Sequence, residues 1–182
     1  MGAAPVIQDS TDGGQLTLAE SGACMEYICH RHGQGRLFVK PSDQAYPSFL
    51  YWWHWANGSF QPTLSRIMTI RSSGIGDGND HNPILAVTND RFKRALQSMD
   101  ERLKDNDWLA GSQFTVADIM VVFSLTTYRY VVAYSLAEYG NILQYLKRVG
   151  QREAYQKAMS KCDPGMELVL GPDPPHQPFT KS

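Results

Sequence analysis

An excess of charge of either sign is the first thing this chain lacks. Seventeen basic side chains against eighteen acidic ones leave a formal net charge of −1. No overall field draws it to nucleic acid or to an anionic membrane surface, and neither is expected as a partner. No apolar run approaches the roughly 20 residues of a membrane-spanning helix. The start, Met1-Gly2-Ala3-Ala4-Pro5, lacks the charged and apolar regions of a secretory signal. Cysteine is sparse: Cys24, Cys29 and Cys162 form neither an even disulfide framework nor a metal-ligand spacing. Cys24 and Cys29 read as small buried hydrophobes in a reducing compartment, which makes a cytoplasmic location the expectation. His30, His32, His81 and His176 have no carboxylate or cysteine at ligand spacing, and Asp77, Gly78 and Asp80 lack the bidentate Glu of a calcium loop in register. No metal is expected.

What is present is enough apolar side chain, 42% of 182 residues, to bury a real core. Strands are confined to the first twenty residues. Val6-Ile7-Gln8 and Gln15-Leu16-Thr17-Leu18 flank the turn signal Ser10 to Gly14 and predict a β-hairpin. A helix follows from Ser21, with Cys24, Tyr27 and Ile28 at helical spacing and Gly33 and Gly35 at its end. Pro41 and Pro47 bracket a linker. The aromatic segment from Tyr46 to about Arg71, the amphipathic Asn89 to Leu103, the apolar Thr115 to about Val132, and two shorter segments, Ile142 to Val149 and Arg152 to Met159, complete a helical bundle. Ser72 to Pro83 reads as a long loop, and Gly171 to Ser182 as a loosely held tail. The expected organisation is a small first segment over residues 1–35, a helical domain over 43–162 and a Pro-rich end over 163–182.

The sharpest local signal is Phe114-Thr115-Val116-Ala117-Asp118-Ile119. Thr115 and Asp118 stand at the two positions of a capping box, and Phe114 and Ile119 at those of a hydrophobic staple. Trp108-Leu109-Ala110-Gly111 precedes it. Tyr139-Gly140-Asn141-Ile142, Tyr145 to Val149 and Arg152 to Ala158 follow it. Upstream stand Ala4 to Asp9, Leu18 to Ala23, and Tyr51-Trp52-Trp53-His54-Trp55-Ala56-Asn57-Gly58-Ser59. In this order and at these separations, the segments resemble the glutathione S-transferase family, in its fungal and bacterial forms. The chain departs from the family's pattern at Gly140, Tyr145 and Glu153, where Pro, Trp and Pro are usual, and at Asn57, where an acidic residue is usual.

The resemblance implies a mainly α fold: a transferase-type helical C-terminal domain preceded by a truncated, thioredoxin-like β-β-α remnant. Family members carry one further β-α-β unit, on the order of 50 residues, ahead of the segment matching Pro5. It supplies the Ser, Tyr or Cys that activates the glutathione thiol, and no counterpart to it is seen here. Pro5 matches the family's cis-proline, whose preceding residue, here Ala4, pairs through its backbone with the cysteinyl part of glutathione. Glu20 and Ser21 match the residues that hold the γ-glutamyl end. A hydroxyl and free N–H groups at a helix start suit a carboxylate, and Glu20 can accept from the ammonium.

Tyr51, Trp52, Trp53, Trp55 and Phe60 point in different directions on a helix, so some of them are expected to line a cleft or an interface. Trp52, Trp55, Asn57 and Ser59 are the candidate contacts to a second substrate. His54 and Tyr51 are the candidate acid or base there. The leading expectation is a glutathione S-transferase-like enzyme with glutathione as co-substrate and a hydrophobic or electrophilic small molecule as the other, in a conjugation, isomerisation or elimination. Two alternatives stand beside it: a glutathione-independent enzyme using the aromatic cleft, and a non-catalytic dimerisation or binding module. A homodimer is expected, since removal of a β-α-β unit exposes a sheet edge and an apolar face.

Overall fold

A computed structural model describes residues 4–73 and 82–175. It divides into two compact units, Met1–Pro41 and Ser42–Ser182. In the first, β1 (Val6–Asp9) and β2 (Leu16–Ala19) pair antiparallel, with Val6 opposite Ala19 and Asp9 opposite Leu16. α1 (Ser21–Tyr27) packs against both strands and runs into a π-helical turn, Ile28–His32. Cys24 is buried there and its thiol donates to the Leu18 carbonyl at 3.5 Å.

The first unit is fastened at one end by Asp9. Its carboxylate accepts from the Thr11 N–H and hydroxyl (2.9 and 2.6 Å), from the Tyr27 hydroxyl (2.8 Å), and lies 2.8 Å from His32 Nε2. These bonds tie the end of β1 to the helix that returns past it, which a two-stranded ribbon needs because it is marginal alone.

The second unit is the helical bundle. α2 (Tyr46–Trp55), a π-helical turn at Ala56–Phe60 and α3 (Gln61–Ser72) form one continuous helical run. Two prolines shape it. Pro47 lies in the first turn of α2, where its missing N–H costs nothing, so it starts a helix rather than closing a linker. Pro62 has no N–H for the carbonyl of Gly58, and the run widens into its π turn just before it. α4 (Pro83–Lys104) begins under a cap in which Asn82 Oδ1 accepts from the Ile84 and Leu85 N–H groups, several residues ahead of the predicted start at Asn89. The predicted loop over Ser72 to Pro83 falls mainly on residues 74–81, outside the described residues.

α5 (Val116–Leu125) is the centre of the bundle, with Val116, Ala117, Val121 and Leu125 fully enclosed. It ends earlier than its apolar sequence suggests, and the chain continues through a 3-10 turn at Thr127–Tyr130. Asp118, fully buried, is the polar hub. It accepts from the Leu109 N–H (3.0 Å), the Thr115 N–H (2.8 Å) and hydroxyl (3.1 Å), and the Tyr145 hydroxyl (3.2 Å). Burial pushes its carboxyl above the usual range while these donors pull the other way. Trp108 and Gly111 exchange two backbone hydrogen bonds, with Gly111 at φ 137°, a conformation open to glycine.

α6 (Gly140–Gly150) and α7 (Glu153–Cys162) close the bundle. Asp100 on α4 caps α6, accepting from the Asn141 and Ile142 N–H groups at 2.9 Å each. That cap serves where the family's usual proline is replaced by Gly140. At the other two departures, Tyr145 gives its hydroxyl to Asp118, and Glu153 puts a negative charge in the first turn of α7.

The C-terminal segment departs from expectation. As far as Pro172 it is held, not loose. Arg129, wholly buried, donates to the carbonyls of Tyr134, Gly171 and Pro172 at 3.2, 2.8 and 2.7 Å, and Pro172 also accepts from the Leu136 N–H. Tyr130 donates to the Glu167 carbonyl and Val169 is buried. A Pro-rich sequence has no periodicity of its own, and here a distant arginine supplies the order.

Candidate functional site

In the first unit, the four residues matched to the glutathione contacts meet at one end of the hairpin. The Ala4–Pro5 peptide is cis and leads straight into β1. Since Val6 pairs with Ala19, Pro5 and Glu20 are the next residues outward on the two strands, and Ser21 follows as the first residue of α1. Glu20 has φ 76° and ψ 122°. A side chain in that region costs on the order of 1–3 kcal/mol, which glycine would avoid. The first helical bond runs from the Cys24 N–H to the Glu20 carbonyl (2.8 Å), so the N–H groups of Ser21, Gly22 and Ala23 precede the helical ladder. Ala4, Pro5 and Glu20 are exposed and Ser21 half-buried. The end therefore offers an exposed carboxylate, a hydroxyl, several peptide N–H groups and a strand start.

Of the two cysteines in this unit, Cys24 is buried, and burial pushes the Cys29 thiol above its ordinary value.

In the second unit, the aromatic segment divides between core and surface. Trp52 is 5% exposed and packs edge-on against Trp55 (5.0 Å between rings), so it is a core residue rather than a substrate contact. Tyr51, Trp55 and Ser59 line a cavity of about 440 Å³ between the α2–α3 run and α4. Its far wall is Arg91, Arg94, Ala95 and Ser98 of α4, and Arg66 closes it on the α3 side. Thr63 also lines it, its hydroxyl bound to the Ser59 carbonyl at 2.7 Å. His54 and Asn57 are exposed and do not line this cavity. His54 makes no hydrogen bond or ion pair to another described residue, so nothing orients it as an acid or base.

The arginines were not among the expected site residues. They were legible as spacing: Ser59, Pro62, Thr63 and Arg66 share one helical face, as do Arg91, Arg94, Ala95 and Ser98. What the spacing does not show is that the two faces meet.

Residues 77–153 match the model for "Glutathione S-transferase, C-terminal domain". Over those residues the chain carries a glutathione S-transferase C-terminal domain. Among curated relatives, it is 21% identical to a glutathione S-transferase domain-containing protein of Dictyostelium discoideum, over 90% of this chain and 62% of the relative. The chain thus spans less than two thirds of that relative. It is 26% identical to the disulfide-bond oxidoreductase YfcG of Escherichia coli, over 90% of this chain and 74% of that protein. Among solved structures, a glutathione transferase from Burkholderia graminis, crystallised with two glutathione molecules per subunit, superposes with a TM-score of 0.67 at 24% identity, covering 90% of this chain and 69% of that one. The transferase fold is shared, a mainly helical plan with a small β-β-α unit ahead of it.

Proposed function

We propose that this protein is a glutathione-dependent enzyme acting on a small electrophile. The observation that supports the reading best is the hairpin end, where Pro5, the left-handed Glu20 and Ser21 at the head of α1 come together. Glutathione would place its γ-glutamyl carboxylate on the Ser21 hydroxyl and the adjoining N–H groups. Its ammonium would lie on Glu20, and its cysteinyl backbone against Ala4. The thiol then loses its proton, and the sulfur pair attacks an electrophilic carbon, displacing a leaving group or adding and taking up a proton. In the helical unit, Tyr51, Trp55 and Ser59 are the aromatic and hydroxyl groups offered to a small molecule.

Reduced glutathione and cytoplasmic location go together in this reading, and the working state is a homodimer, which sedimentation would show. The YfcG likeness favours a second reaction on the same glutathione site. There the glutathione thiolate attacks a disulfide sulfur, forming a mixed disulfide and releasing a thiolate.

Glu20 allows a test that separates binding from folding. Glu20→Gly removes the carboxylate and relieves the backbone, so thermal stability holds or rises by about 0.5–1 kcal/mol. Glutathione affinity measured by calorimetry falls about tenfold or more, the loss of one charge-assisted contact. Ser21→Ala weakens it comparably. Failure of the full chain to bind glutathione at millimolar concentration would sink the reading. Turnover undiminished without glutathione would favour the glutathione-independent alternative. Comparing a halogenated aromatic with a small disulfide as co-substrate decides between the two reactions.

A further inference from the structure

Another cavity, of about 370 Å³, lies in the notch where the end of α4 meets one face of α6. Lys104, the last residue of α4, and the loop Asp105-Asn106-Asp107 form one wall. Asn141, Gln144 and Arg148 form the other, at the spacing of three and four that puts them on one side of the helix. The two cations, Lys104 and Arg148, are matched by two carboxylates, Asp105 and Asp107, so the lining carries no net charge. Its one apolar residue, Leu103, is 4% exposed.

Much of this frame is fixed from within. Asn141 gives its backbone and side-chain N–H groups to Asp100, and the Asn106 amide gives to the Arg102 carbonyl, each at 2.9 Å. The Arg148 guanidinium gives to the Asp107 carbonyl at 3.0 Å. These bonds use donors and leave acceptors: the amide oxygens of Asn106 and Asn141 accept nothing from a described residue. The side chains of Lys104, Asp105 and Gln144 make no hydrogen bond or ion pair to one. Asp107 Oδ1 stands 3.8 Å from Arg148 Nε, which balances the charge but is too long for a hydrogen bond.

A neutral, polar notch with unused acceptors and a few donors selects its ligand. A carboxylate or phosphate would meet Asp105 and Asp107, and an ammonium would meet Lys104 and Arg148. A hydrophobic molecule would strip water from polar groups and return no hydrogen bond. Hydroxyls suit every part of the lining, because each one donates and accepts and brings no charge. The volume falls within the range, roughly 300–1,000 Å³, of small-molecule sites. Since Asn106, Asn141 and Arg148 are already held, little side-chain freedom is lost there on binding.

We propose that the α4–α6 notch binds a small neutral polyhydroxyl compound, a sugar or cyclic polyol. Gln144, Asp105 and Asp107 hold its hydroxyls, and the Asn106 and Asn141 amide oxygens accept from them. The notch shares no residue with the hairpin end or with the cavity at Tyr51 and Trp55.

Amide NMR on the full nitrogen-labelled chain tests it. Glucose, maltose and myo-inositol are the probes, and glucuronate, glucosamine and cyclohexanol their acidic, basic and apolar counterparts. The expected result is a saturable shift, at low millimolar concentration or below, for at least one of the three polyols. It falls on residues 103–107 and 141–148, the Asn and Gln side-chain amides included. The counterparts bind at least about fivefold more weakly. Gln144→Ala and Asp105→Ala each weaken the polyol about fivefold or more, and Lys147→Ala, on α6 outside the cavity, changes nothing. All three positions are exposed, and circular dichroism confirms that the variants fold.

No shift from any of the three polyols at about 50 mM overturns the site, and shifts centred elsewhere overturn its place. Equal binding of glucuronate or glucosamine overturns the neutral ligand, and equal binding of cyclohexanol overturns the part given to multiple hydroxyls. Full affinity in both Gln144→Ala and Asp105→Ala overturns the role of these side chains.

Discussion

Single residues carry the tension between folding and function in the first unit. Glu20 holds a backbone conformation that glycine would adopt without strain, and its carboxylate is what glycine lacks. Asp9 is the opposite case, a residue that no sequence pattern singles out and that fastens the unit. Hydrogen bonds from Thr11, then Tyr27 and His32, hold its carboxyl well below the usual carboxylate range. Folding therefore favours its ionised form. The resulting stability is fully present above the ordinary value of 3.8 and is lost only as pH falls through the lower folded value. A carbon-detected NMR titration of the Asp9 carboxyl should show a midpoint well under 3.8; a midpoint at or above that value would show that these bonds do not form in solution. The hub was invisible to sequence reasoning because its partners stand 2, 18 and 23 residues away. Such spacing matches no helix or strand period.

At the scale of elements, local chemistry decides where helices begin and distant contacts decide how the rest is held. Pro47, Asn82 and Asp118 each act within one turn, so α2, α4 and α5 start where their residues place them. The segment after α7 has no such signal and depends on Arg129, some forty residues earlier. Replacing that arginine takes the guanidinium donor from the Tyr134 and Gly171 carbonyls and leaves Pro172 with the Leu136 N–H alone. In Arg129→Met the segment from about Glu167 to Pro172 should detach, and the Leu136 amide, which donates to Pro172, should exchange at least about tenfold faster, a local opening eased by about 1.4 kcal/mol or more. Unchanged protection of Leu136 would mean that other packing, such as Val169, holds the segment by itself.

At the scale of the molecule, nearly all the burial lies in one unit. Cys24 is the one buried apolar residue of Met1–Pro41 among those described, whereas the helical unit encloses whole faces of α3, α4, α5 and α6. A fragment of residues 42–182 should therefore melt cooperatively, within several degrees of the full chain, while residues 1–41 alone should show no cooperative transition by circular dichroism. A fragment 42–182 that fails to fold would show that the first unit contributes to the core. The same asymmetry explains what was legible. Periodicity, turn residues and caps are short-range, so the hairpin, the helices from Tyr46 onward and the capped start of α5 followed from the sequence. The four residues at the hairpin end were named from the family resemblance, and the antiparallel register of the two strands is what brings them side by side. Which tryptophan enters the core, which face of α4 meets α3, and where Arg66 and Arg91 come to border one groove were decided only by packing. Every side of an aromatic-rich helix is apolar enough to be buried, and tertiary contact selects the one that is.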